Sequence, residues 1–132
     1  MAVDDQFYRE YILDHYKNPR NFGRLEGATI SHEEHNPLCG DLVGIDLRVQ
    51  DGVIEDVRFH GRGCAISQAS ASLMTERLKG MSLEQARGIT KEDVLGELGI
   101  QISPARLKCA LLSLKTLKVG AYGLADEEDE RD

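Results

Sequence analysis

Residues 41–61 read DLVGIDLRVQDGVIEDVRFHG. Val43, Ile45, Leu47 and Val49 alternate onto one face of a strand over residues 42 to 50. Asp51-Gly52 is a hairpin signal, because both residue types tolerate the positive φ of a tight turn. Val53, Val57 and Phe59 then recur in phase. Parity selects the loop. A two-residue loop pairs Val49 with Ile54 and Leu47 with Asp56, which puts an acid on the core face. An odd loop instead pairs Leu47 with Val57 and Ile45 with Phe59. The stretch therefore predicts an antiparallel hairpin with a three-residue loop and Gly52 in a bulge.

Flanking segments supply a further strand and the helices. Residues 27 to 35 form a candidate first strand. GRGCAISQASASLMTERLKG reads as a helix from Cys64 to Lys79, ended by Gly80, and its Ala and Ser content permits close packing. Residues 4 to 17, DDQFYREYILDHYK, form an amphipathic helix with Phe7, Tyr8, Tyr11, Ile12 and Tyr16 near helical spacing. Pro19 stops it, since the residue before a proline avoids the helical region. That helix is expected to dock on the core. MSLEQARGITKEDVLGELG holds one or two short helices, with Ser82–Gln85 and Thr90–Asp93 as capping pairs. Ser103-Pro104 opens a last helix running to Tyr122, with proline in its first turn.

The 132 residues fit one domain, expected over 1–125, with an acidic tail over 126–132. Six acids and one arginine give that tail −5 of the net −7, leaving −2 on the body. The tail reads as a solvated, disordered end. No basic stripe with interleaved aromatics points to nucleic acid, and no apolar run is long enough to span a membrane. The N-terminus lacks the features of a signal or transit peptide, so a cytoplasmic location is expected.

Cys39, Cys64 and Cys109 are widely spaced, and no C-x-x-C occurs. An odd count in an intracellular chain argues against a disulfide framework. Each cysteine lies near an element end, and Asp41 follows Cys39 across a single glycine. Gly61 and Gly63 open the backbone before Cys64, whose helix N-terminus favours an anion. In a continuous last helix Cys109 falls off the stripe of Leu107, Ala110, Leu111, Leu114 and Leu117. Arg106 lies on the same side, where a guanidinium favours thiolate. Three thiolates together repel without a cation. A Cys₃Asp set satisfies four-coordinate zinc, and the same thiolates can hold a [2Fe–2S] unit. Soft sulfur ligands argue against Mg²⁺ or Ca²⁺.

HYKNPRNFG, NPLCGD, GRGCAISQASASLMTE and SPARLKCALL occur in this order, and together they resemble the IscU/SufU (NifU N-terminal-like) family. The resemblance runs from Phe7 to Gly120. It implies an α+β fold, a three-stranded antiparallel sheet with helices packed on one face. It also implies iron–sulfur cluster assembly, with sulfur received from a pyridoxal-phosphate cysteine desulfurase and clusters passed to recipient apo iron–sulfur proteins. By position, Cys39, Asp41, Cys64 and Cys109 match the family's metal or cluster ligands, and Arg106 matches an arginine of SufU-type members near the zinc site. Cys39 and Cys109 are both candidates for the persulfide. Branch features are mixed. IscU-type members carry LPPVK and a histidine before the third cysteine; here the region is ISPARLKC, with Lys108 in that place. SufU-type members carry an extra segment between the second and third cysteines, and this chain is short there.

Three functions are open at this stage: a [2Fe–2S] scaffold, a zinc-dependent sulfurtransferase that activates the desulfurase, and an adaptor with a structural zinc. A cysteine hydrolase needs a histidine base. His60, His15, His32 and His35 read by default as simple surface, and only His35 stands close enough to Cys39 to serve as an alternate ligand.

Overall fold

The computed structural model describes residues 5–37 and 40–123. Helix α1 spans Asp5–Lys17; strands β1 (Ile30–Asn36), β2 (Asp41–Gln50) and β3 (Val53–Arg62) follow; then come α2 (Ala65–Leu78), α3 (Leu83–Arg87) and α4 (Lys91–Leu98). A 3₁₀ turn at Pro104–Arg106 leads into α5 (Leu107–Ala110) and α6 (Leu112–Tyr122). The strands form one antiparallel sheet in the order β1-β2-β3, the expected architecture. The tail at 126–132 lies outside the described residues.

Leu47 pairs with Val57 and Ile45 with Phe59, the register that parity requires. The odd residue, however, is not in the loop. Val49 faces Ile54 and Gln50 faces Val53, so the turn is Asp51-Gly52 alone, with φ of 53° and 78°. Two successive positive φ values are those of a type I′ turn, whose twist matches the strands. The register shifts between Arg48 and Val49, where Glu55 is the extra residue of a β-bulge. The bulge reverses the phase of β3. Val53 is therefore exposed and Ile54 is buried, a correction to the even phase expected for Val53.

Val43, Ile45, Leu47, Ile54, Val57 and Phe59 turn inward and pack against Ala71, Met74 and Leu78 of α2 and Leu114 and Leu117 of α6. Behind α2, a second cluster joins Ile12 of α1, Ala69 and Leu73 of α2, Leu98 of α4 and Ala110 of α5. Helix α2 is thus covered on both sides, and every residue from Ser67 to Thr75 is buried. A helix buried all round must be small or apolar, and its hydroxyls need partners. Ser70 Oγ donates to Ala110 O at 2.8 Å, and Thr75 Oγ1 donates to Ser72 O at 2.6 Å. Ser72 Oγ accepts the Arg20 N–H at 2.9 Å and shares a hydrogen bond with His15 Nδ1 at 2.8 Å.

On the outer face of the sheet, Asp46 is 1% exposed. Its carboxylate accepts from Arg24 Nε and Leu25 N–H, both at 2.9 Å, and from Ser31 Oγ at 2.6 Å. Burial works against its ionisation, but the hydrogen bonds from Arg24, Ser31 and Leu25 outweigh it and hold the carboxyl below its ordinary range. These bonds fasten the segment after α1 to the sheet. Both capping pairs are present as full capping boxes, at Ser82–Gln85 and Thr90–Asp93.

Two further expectations need correction. Tyr16 is exposed, and His15, expected at the surface, is the inward residue of α1, 2% exposed. The stripe that docks is Ile12 and His15, because the partner helix offers a serine hydroxyl at Ser72. The last helix is also not continuous. It starts as a 3₁₀ turn and slips at Leu111 (φ −100°, ψ 4°) before α6 begins.

Burial pushes the His15 imidazole down, and the Arg20 guanidinium adds to that, outweighing the opposing pull of Glu76 and Asp14. The unfolded chain therefore takes up a proton at His15 first as pH falls. The stability from neutral His15 is complete above about pH 6.5, the unperturbed histidine value, and is lost as pH drops below it. The native melting temperature is expected to fall more steeply between pH 7 and pH 5 than that of His15→Gln. Parallel pH profiles of thermal unfolding would contradict this.

Candidate metal centre

Asp41 opens β2, directly after a tight turn whose ends are tied by Gly40 N–H to Asn36 O at 2.8 Å. Gly40 sits at φ 73°, in the left-handed region that favours glycine. Although it starts a strand, Asp41 points to the helix side, in register with Asn36, and is 1% exposed. Cys64 is the N-cap of α2, with extended φ and ψ and a half-buried side chain. Cys109 lies in α5.

The Asp41 carboxylate binds the start of α2 twice. Oδ1 accepts the Cys64 backbone N–H at 3.0 Å, and Oδ2 accepts from the Cys64 thiol at 3.4 Å. The first bond satisfies an amide that a helix start leaves without an intrahelical partner. The second holds a proton for which a cation would compete. Gly63 makes this approach possible. It adopts φ +143°, and a Cβ placed there would overlap Asp41 Oδ1. Gln68, one turn into α2, donates to Leu42 O at 3.3 Å and ties the helix to the strand beside the carboxylate.

One ligand atom each from Asp41, Cys64 and Cys109 lie within 4.8 Å of one another. Residues 41, 64 and 109 come together because α2 and α5 both abut the β1–β2 end of the sheet. A tetrahedral zinc with Zn–S near 2.3 Å spaces its sulfur donors by about 3.8 Å. Two sulfurs and a hard oxygen at this spacing, at a helix N-terminus and beside a glycine-made cradle, fit a thiophilic divalent ion. These residues therefore fit the metal expected from the sequence.

Cys109 is buried, contrary to its placement off the helix stripe. The stripe argument allowed α5 one buried face, whereas α5 has two. Ala110 packs among the residues around α2, and Cys109 faces the end of β1, where Asn36 Nδ2 donates to its sulfur at 3.8 Å. Asn36 was not singled out from the sequence, and a lone asparagine before Pro37 reads there as a turn residue. Gln68 likewise carried no signal in a helix read for its small residues. Arg106 lies in the exposed 3₁₀ turn before α5. His35 is on the outer face of the sheet, opposite the side that holds the cluster. Cys39 lies outside the described residues.

A small α+β domain that gathers two thiols and a carboxylate at one end of an antiparallel sheet offers the donors of a metal site. The comparisons name the family. The NifU-like N terminal domain family matches residues 7–129, and the chain belongs to this family. It is 40% identical to a Bacillus subtilis protein named zinc-dependent sulfurtransferase SufU, covering 94% of this chain and 93% of that one. It is 41% identical to a Thermotoga maritima protein named iron–sulfur cluster assembly scaffold protein IscU, covering 88% and 93%. Its fold is similar to a solved structure from Fervidobacterium islandicum described as a SUF-system scaffold, with TM-score 0.71 and 30% identity over 89% of this chain and 98% of that chain. No helix among the described residues is long and apolar enough to cross a membrane.

Gly63→Ala is expected to displace the Asp41 carboxylate and weaken divalent-metal binding about 10–100-fold, the range for loss of an outer-shell support. Gly27 also has positive φ but nothing within 4 Å of its Cβ position. Gly27→Ala should leave affinity unchanged. Competition against a chromophoric chelator measures both.

Proposed function

We propose that this chain accepts sulfur from a pyridoxal-phosphate cysteine desulfurase in the cytoplasm and builds a [2Fe–2S] cluster, its cargo, on Cys39, Asp41, Cys64 and Cys109. It then passes the cluster to apo iron–sulfur proteins. The observation that carries this reading is the convergence of Asp41, Cys64 and Cys109 within 4.8 Å.

Each residue takes a distinct part. Cys39 precedes Gly40 in the sequence, and we assign it the persulfide. Cys109 is 3% exposed, which is poorly suited to meeting a partner's sulfur. In that transfer the Cys39 thiolate attacks the outer sulfur of the desulfurase persulfide. The S–S bond in the desulfurase breaks, and its cysteine leaves as thiolate, so the transfer itself consumes no oxidant or reductant; release of that sulfur as cluster sulfide then takes two electrons per sulfur, drawn from iron(II) and free thiol. Cys64 offers a thiolate at the positive end of α2. Cys109 offers a fixed, buried one. Asp41 is the hard, weak ligand of the set, so the cargo is held least firmly at its oxygen. Arg106, exposed just before α5, is assigned to the approach of the anionic persulfide.

The near single-ion spacing of the three donors favours a second reading, a zinc-dependent sulfurtransferase. The 40% identity to the protein named zinc-dependent sulfurtransferase adds to it. When bound, zinc would hold Cys64, Cys109, Cys39 and Asp41 and keep the thiols deprotonated until sulfur arrives.

Anaerobic reconstitution separates the two. The chain is mixed with iron(II), cysteine and a cysteine desulfurase, with and without zinc, while visible absorbance and sulfide release are followed. A cluster spectrum that moves to an apo-ferredoxin is the expected outcome for the native chain. With Asp41→Cys, which puts a soft thiolate in place of the weak oxygen ligand, the cluster is expected to persist several-fold longer. Faster desulfurase turnover that depends on zinc, with no cluster, would support the sulfurtransferase and reject the scaffold.

A further inference from the structure

We infer that Asn36 is a positioning residue for Cys109, using its side-chain amide to hold and polarise the sulfur that joins Asp41 and Cys64. The inference rests on the metal or cluster reading of that site. Asn36 is the last residue of β1 and is 7% exposed; Cys109, 73 positions later, is 3% exposed. Its Nδ2 donates to Cys109 Sγ at 3.8 Å, within the range for hydrogen bonds to sulfur.

The two ends of Asn36 serve different parts of the site. Its backbone carbonyl accepts Gly40 N–H at 2.8 Å and so closes the turn that leads into Asp41. Its side chain reaches across to α5. One residue therefore links the turn that orients the carboxylate to the helix that carries the third sulfur. A turn requirement alone explains the backbone bond, which any residue can make. It does not explain a buried primary amide aimed at a thiol.

An N–H donor also draws electron density from a ligating sulfur and offsets the cost of burying its charge. A buried sulfur without such a donor is a poorer anchor, and its rotamer is less fixed. Loss of an outer-shell partner costs about 10–100-fold in metal affinity.

The test uses cobalt(II), whose thiolate charge-transfer bands report on the sulfur directly, with the full chain and two variants. Asn36→Leu keeps the approximate shape and removes the donor; Asn36→Ala removes both. Circular dichroism first establishes that each variant folds. The expected result is a charge-transfer band shifted to lower energy in both variants, with at least about tenfold weaker cobalt binding. Asn36→Leu with the native band and affinity would overturn the inference, because shape alone would then suffice. A native chain with no thiolate-to-cobalt band would instead reject the site reading itself, so the two failures are distinct.

Discussion

The structure depends on a helix that has no solvent face through its middle. Helix α2 lies between the sheet and a second layer made by α1, α4 and α5. Its buried stretch from Ser67 to Thr75 therefore has to be narrow and fully hydrogen-bonded. Alanine and serine meet the first demand. The second is met by pairing the hydroxyls with Ala110 O, the Arg20 N–H and His15, so these bonds also fix where α1 and α5 dock. A larger residue at Ser70 or Ser72 would push two layers apart, and a smaller one would leave partners unsatisfied.

The same helix sets the position of the site. Its N-terminus has to meet the end of the sheet, and the meeting is made by one carboxylate that satisfies an amide while lying beside two sulfurs. Asp41 therefore does structural and chemical work with the same two oxygens. The arrangement leaves little room: a Cβ at Gly63 would overlap that carboxylate, and Gly61 carries no side chain where Leu42 O passes. The glycines of the GRGC segment are thus a consequence of how closely the strand and helix approach. Behind them, Asn36 and Gln68 supply the polar ties that keep strand and helices in one relative position.

The hairpin illustrates how far local reasoning reaches. Parity identified the pairs Leu47–Val57 and Ile45–Phe59, since an acid at the core face is costly enough to exclude the other phase. It could not locate the extra residue. A three-residue loop and a two-residue loop with a bulge give the same inner pairs, and the twist-matched Asp51-Gly52 turn decided between them. Val53 and Ile54 exchanged faces as a result. His15 failed for a related reason. A histidine among aromatics on a helix has no inward mark in the sequence, and its place was set by Ser72, 57 positions away.

By itself the sequence determined the order of the strands and helices, the two capping boxes, and the sheet with its helices. These follow from periodicity, turn chemistry and motif order, all of which act over a few residues along the chain. Tertiary structure alone decided that Cys109 is buried rather than presented on a helix surface, that α5 has two buried sides, and that Asn36 touches its sulfur. Those outcomes depend on how layers meet around α2, and contacts between residues 73 positions apart leave no periodic trace in either segment.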